Sequence, residues 1–469
     1  MTKTTRTFLF LILSVLFALG AISAVFYAQG YRFDLKNLKF LKTGGIFVKV
    51  SPSNAKVILN QKLIGRTQPI NDYLFVQGLL PKEYNVTIEK EGYSSWSKNL
   101  EVKETKVAEA KNIILFPEKI SFAEVKSNIE NFYPLDGEKI ILQNSTGSNQ
   151  LKRISIYDLG REKETELKKL DLFLAGYELL ELRTVGSQYL LLYLKNKKTL
   201  KENYFFADLK TDDPSAQKLD FLSKKSENIF LASSFGEELF FWQEEGFILK
   251  KSLNSDDLPA QFLKDKIKTF TLDNGYFYLL TQEGKTLKID QNKNFPTQEL
   301  TEKLFNFKKS PAYELMVFEG SPFLKEDESL YALDEKSKGL EKIFDGVKSI
   351  KLSPFGDKLL CQMQNEIEVY LLKKIDVPFQ ETAGSKIFIS RFSQPVQSSD
   401  WIEDDYFAFA NAGQITLSEI DTRSNLNTYN IGQLADPKVW FCQKNKKLYA
   451  LSNGSLFASD KLLPTGLGL

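Results

Sequence analysis

Hydrophobic and polar positions fall into three regimes along the chain. Residues 8–28, FLFLILSVLFALGAISAVFYA, contain no charge. About 20 residues of helix span the hydrocarbon core of a bilayer, so this run predicts one transmembrane helix. A cleaved signal peptide is the rival reading. Its apolar stretch is about 7–15 residues long and ends on small side chains. Here the run is longer and ends Phe26-Tyr27-Ala28. The expectation is an uncleaved signal-anchor over residues 1–30, followed by a short stalk, 31–44. Tyr27 and Tyr31 are placed to sit at the outer interface as an aromatic anchor. From residue 45 the period changes to two. Ile46, Val48 and Val50 alternate with Phe47 and Lys49, the signature of a half-buried strand. Ser51-Pro52-Ser53-Asn54 is turn chemistry, and Gly65, Pro69 and Gly92 punctuate the segments that follow. At least five short strands in residues 45–117, with no helical stripe, predict a small β-sandwich.

The order of these elements resembles a PEGA domain. The resemblance rests on Gly45-Ile46, Ser51-Pro52 with Ala55 and Val57, Gly65 and Thr67, Tyr84 and Val86, and Lys90-Glu91-Gly92-Tyr93. Two positions depart from the family pattern. Asn60-Gln61 stands where an Asp/Asn-Gly turn is usual, and Gln68 separates Thr67 from Pro69. The resemblance implies an envelope-associated β module and names no ligand.

Residues 118–469 repeat one pattern: a polar turn, an apolar strand, a gap, then a strand closing on Asp. The closing residues are Asp158, Asp208, Asp290, Asp334, Asp421 and Asp460, with degenerate copies near Leu249 and Leu371. A strand-built period of about 40–45 residues predicts a β-propeller. Seven or eight blades fit the spacing. Ser353-Pro354-Phe355-Gly356-Asp357-Lys358 resembles the S-P-D-G-K turn of WD40-like and TolB-like blades, with Phe355 in place of Asp. Leu135-Asp136-Gly137-Glu138-Lys139 is a second echo. Residues 113–125 are rich in strand formers and are expected to complete the last blade, leaving no open edge. The fold class is thus mainly β: an N-terminal transmembrane helix, a PEGA-like sandwich over 45–117 and a propeller over 118–469.

Composition narrows the chemistry. The chain has no histidine, which removes Ser-His-Asp and Cys-His catalysis and imidazole metal ligands. Two cysteines, Cys361 and Cys442, cannot build a disulfide framework, and they fall in different repeats, read as buried thiols. The net charge of +2 argues against a nucleic-acid footprint, and the Lys195–Lys198 cluster lacks interleaved aromatics. Charge is uneven, however. Residues 1–44 carry six basic side chains against one acidic, and residues 45–117 ten against seven. The basic end therefore lies where anionic headgroups attract it.

Candidate sites are few. Asp212-Asp213, Asp256-Asp257 and Glu403-Asp404-Asp405 are read as solvated blade turns. Glu283-Gly284-Lys285-Thr286 is read as a hairpin rather than a phosphate loop, because position 279 is Leu. Trp242, Trp401 and Trp440 are assigned to packing between blades rather than to sugar stacking. No catalytic, cofactor or metal residue is assigned, no binding residue is identified, and no cofactor is expected.

Lys3 and Arg6 precede the span while Arg32, Lys36, Lys39 and Lys42 follow it, so charge alone sets no direction. The short tail before a first apolar span places the amino terminus inside. The expectation is a non-enzymatic, single-pass cell-envelope protein with its bulk extracytoplasmic. Its loops would bind a protein or a cell-wall glycan. A carboxylate-dependent glycosidase or lyase is the first alternative, and an extracytoplasmic ligand sensor the second. The short tail of residues 1–7 counts against the sensor.

Overall fold

The computed structural model describes residues 3–34, 38–135, 137–146, 151–185, 188–211, 213–234, 237–253, 255–263, 265–292, 296–309 and 311–463. Asp136 and Asp212 lie outside them.

The apolar run is helix. It spans Lys3–Ala28, and Thr5–Ala28 is long and apolar enough to cross a membrane. The segment expected as a stalk is instead a hairpin of Tyr31–Asp34 paired with Lys39–Lys42. Alternation of Tyr31 and Phe33 with Arg32 and Asp34 supplies the strand period that a flexible stalk would lack.

The module is a sandwich of two sheets. One is three-stranded, with Gly44–Ser51 between Tyr73–Leu79 and Val107–Ile114. The other is four-stranded, from Lys56–Leu59, Lys62–Arg66, Lys82–Glu89 and Trp96–Val102. Ile46, Val48, Val50, Val57, Val86, Ile88 and Trp96 meet between them. The departure at Asn60-Gln61 is accommodated. Both residues take positive φ, 46° and 67°, which a two-residue hairpin requires to match the strand twist.

The remaining strands form eight four-stranded antiparallel sheets. Blades 1 to 7 occupy 129–166, 177–218, 227–261, 267–299, 313–344, 347–391 and 396–433. Blade 8 takes three strands from 438–461 and its fourth from Phe122–Ser127. The expected closure at 113–125 therefore divides. Val107–Ile114 stay in the module sheet and Phe122–Ser127 complete the ring. One hydrophobic cluster lies between each pair of neighbouring blades, including blades 8 and 1, where Phe132 and Ile140 pack with Cys442 and Tyr449. That circuit of clusters is the structural meaning of a closed propeller. One short helix, Lys168–Leu174, inserts between blades 1 and 2.

The repeated Asp has a local cause. Each lies in the third strand of its blade or within two residues of its end, and in four of the six the carboxylate caps the turn that follows. Asp158 accepts from the backbone N–H of Gly160 and Arg161, Asp208 from Lys210, Asp334 from Ser337 and Asp421 from Arg423. Such a short acceptor turns the chain towards the outer strand by bonding its own backbone. In the last blade the geometry is reused for closure. Asp460 accepts from the N–H of Ser121, just ahead of the strand that seals the ring.

Candidate functional site

The candidate site is the seam where the module meets blade 7. Its first element is the strand Trp96–Val102. Trp96, Lys98, Leu100 and Val102 alternate inward, so a lysine stands in a register that would otherwise be apolar. Lys98 is 1 % exposed. Its ammonium pairs with Glu419 Oε1 at 2.7 Å and donates to the carbonyls of Asp421 and Asn425. An ammonium has three donors, and all three are used. Glu419 is equally enclosed. Its Oε2 accepts from Trp96 Nε1 at 2.8 Å, and its Oε1 also accepts from the backbone and side chain of Asn427. Burial pushes the Glu419 carboxyl above its ordinary range, with Lys98 pulling the other way. Asn427 returns a bond to the carbonyl of Ser97, Ser424 accepts from the N–H of Asn99, and Arg423 donates to the carbonyl of Glu109.

The second element is a bulge. Pairing along Val107–Ile114 shifts between the partners of Val48 and Val50, and Asn112 takes φ 59°. A bulge re-aims a side chain. Here the Asn112 amide reaches Asp405 Oδ2 at 2.9 Å. Two residues on, the N–H of Ile114 donates to the Tyr406 hydroxyl, and Phe116 lies between the rings of Tyr406 and Tyr429, 5.5 Å from each.

Asp405 leads into a buried charge cluster that corrects the sequence reading. Asp404 and Asp405 are each 5 % exposed and are not solvated turn residues. Their hairpin turn is covered by Lys358 from blade 6, itself 1 % exposed. Lys358 pairs with Asp404, lies 3.0 Å from Asp357 and 3.5 Å from Asp405. Asp404 also accepts from the N–H of Phe355. Thus the Ser353–Lys358 turn, pinned by Ser353 Oγ bonding Asp357, is locked to the next blade. Burial pushes the Asp405 carboxyl up to about 6 despite Lys358 and Asn112. For Lys358 burial acts downward, but Asp405 and Asp404 outweigh it and hold the ammonium above its usual range.

The other sequence candidates separate. Asp213 accepts from the N–H of Lys169, and Asp257 pairs with Ser255 in an exposed turn. Glu283-Gly284-Lys285 joins the strands Tyr276–Thr281 and Thr286–Asp290 as a hairpin. Trp242 and Trp401 are buried, bonding Glu244 and the carbonyl of Lys351, while Trp440 lies partly buried against Phe132 and Tyr449. Cys361 and Cys442 are buried free thiols in blades 6 and 8. Among the described residues no group of three Cys, Asp or Glu side chains is placed to hold a metal ion. The crevice at the seam, lined by Trp96, Asn112, Asp405, Tyr406, Glu419 and Asp421, offers about 10 Å³, room for one water at most. Sequence reasoning passed over Lys98, Glu419 and Asn112. The misplaced lysine in W-S-K-N-L-E-V was the available signal.

Comparison with known proteins matches the parts separately. No curated protein sequence matches the chain. Among solved structures, the chain is similar to BamB from Moraxella catarrhalis at 13% identity and TM-score 0.41, covering 73% of this chain and 99% of that one. The WD40 domain of SCAP from fission yeast aligns at 11% identity and TM-score 0.36, covering 73% and 98%. The computationally designed Ika8 protein aligns at 10% and 0.40, covering 71% and 96%. Residues 43–113 match the PEGA domain family. The chain therefore carries a PEGA domain behind an apolar N-terminal helix and ahead of a β-propeller.

Proposed function

We propose that this protein is a membrane-anchored, non-enzymatic component of the cell envelope. Its PEGA domain holds the propeller in one fixed stance beside the membrane. The loops of the ring then bind a protein or glycan partner outside the cytoplasm. The observation that carries this reading is the seam. A flexible tether needs no buried ion pair, whereas Lys98 and Glu419 are desolvated together and every donor of the ammonium is used. Removing either partner would strand a buried charge, so the seam keeps module and ring in register.

The sequence-adjacent pair Asp404-Asp405 converges with Asp357 on Lys358 and not around an open cleft, which supports a structural role for this cluster over hydrolysis. A glycosidase needs two carboxyls facing a sugar across a gap. Protease treatment of intact cells tests the placement. Degradation of the propeller without lysis is expected. Resistance that disappears only on lysis would reverse the orientation. Retention on immobilised wall fragments, lost with the propeller deleted, then separates a glycan partner from a protein one.

A further inference from the structure

The hairpin after the helix presents an aromatic face that, among the described residues, only Phe26 partly covers. Its register pairs Tyr31 with Lys42 and Phe33 with Phe40, so these four share one face. Phe33 and Phe40 are 43 % and 61 % exposed, and Leu38 at the turn is 73 % exposed. The hairpin is fastened to the helix end. Phe26 packs edge-on to Tyr31 at 5.4 Å and stacks on Phe40 at 5.8 Å. The Arg32 guanidinium lies 3.4 Å over the Tyr27 ring and donates to the carbonyls of Tyr27 and Tyr31. Thr43 bonds the Gly30 carbonyl through both its N–H and its hydroxyl. The hairpin thus cannot swing freely from the helix.

We propose that the paired strands Tyr31–Asp34 and Lys39–Lys42 form a membrane-interface clamp. Its aromatic face sits at the boundary between headgroups and acyl chains, and Lys39 and Lys42 meet anionic phosphates. This inference rests on the reading that the Lys3–Ala28 helix spans the membrane. Tyrosine concentrates at the interface, Phe and Leu fill the apolar face of interfacial segments, and basic side chains beside a span are drawn to anionic lipid. A helix leaving the bilayer at Ala28 places the adjoining hairpin at that depth. The clamp resists tilting of the helix, and with it the module above.

The test uses the full chain in nanodiscs of phosphatidylcholine and phosphatidylglycerol. An environment-sensitive fluorophore is attached at Leu38→Cys, at Leu13→Cys in the helix, or at Leu258→Cys on the ring. Cys361 and Cys442 are buried and stay unlabelled. Lipids carrying a spin label near the headgroup are expected to quench the Leu38 probe and leave the ring probe bright. Phe33→Ser with Phe40→Ser is expected to return the Leu38 probe to the ring probe's emission. In phosphatidylcholine alone the quenching weakens, and equal quenching would remove the lysine contribution. A Leu38 probe indistinguishable from the ring probe, with the Leu13 probe still shielded from water, would overturn the clamp alone. Loss of shielding at Leu13 as well would overturn the spanning helix beneath it.

Discussion

Lys98 is a costly residue to bury, and its surroundings explain how it is tolerated. Exchanging one member of such a pair leaves the other uncompensated, which costs about 3–5 kcal/mol, while replacing both with matched apolar groups is often near neutral. Lys98→Met is therefore expected to lower the denaturant midpoint of the detergent-solubilised chain. Adding Glu419→Gln to it should restore most of the loss. Asp405 behaves differently because its shift runs upward. A carboxyl pushed up to about 6 holds its proton more tightly in the folded state. Its ionised form therefore destabilises the fold at pH 7. The destabilisation fades as pH falls through about 6 and is gone below the unfolded value near 4. Asp405→Asn should remove that slope. The gap in unfolding free energy between variant and parent should change by up to about 3 kcal/mol from pH 7 to pH 4, as read by denaturation at each pH. These residues were only partly legible in the sequence. Asp421 stood out as the residue on which a repeat's strand closes, but its neighbour Glu419 acts through a partner more than three hundred residues away. Local spacing records no such pairing. Asp404 and Asp405 looked like turn residues, as they are. Burial came from Lys358, which belongs to another blade.

At the scale of elements, turn chemistry was the readable part. The Asp at the end of a third strand leaves a mark because its cap is local, within two or three residues of the N–H that donates to it. Regular spacing of that mark is what made the ring visible. Where the chain must choose between two sheets, as at residues 107–127, strand propensity alone is silent. Val107–Ile114 and Phe122–Ser127 both look like strands, and only their partners separate them. The closing strand is open to test. A chain ending at Gly454 loses Ser455–Lys461 and leaves Phe122–Ser127 without its partner. Cooperative melting of the ring should be lost, a change comparable with the about 5–15 kcal/mol that keeps a domain folded. Unchanged melting would mean the ring does not depend on this seal. In the module, Gln61 holds φ 67° with a full side chain. Gln61→Gly should raise module stability by about 1 kcal/mol, since the left-handed region strains any residue with a Cβ. Thermal melting followed by module fluorescence checks it.

Across the whole molecule the parts are coupled in series: helix, hairpin, module, seam, ring. The helix–hairpin and module–ring links are bonded on both sides, so movement of the ring relative to the helix passes through few soft joints. The seam between PEGA domain and propeller is the link on which the proposed function depends. Spin labels at Leu63→Cys, 56 % exposed on the module, and Leu258→Cys, 87 % exposed on the ring, report on it directly. The account predicts one narrow distance distribution in the parent and a broadened one with Lys98→Met. A broad distribution in the parent itself, unchanged by Lys98→Met, would contradict it.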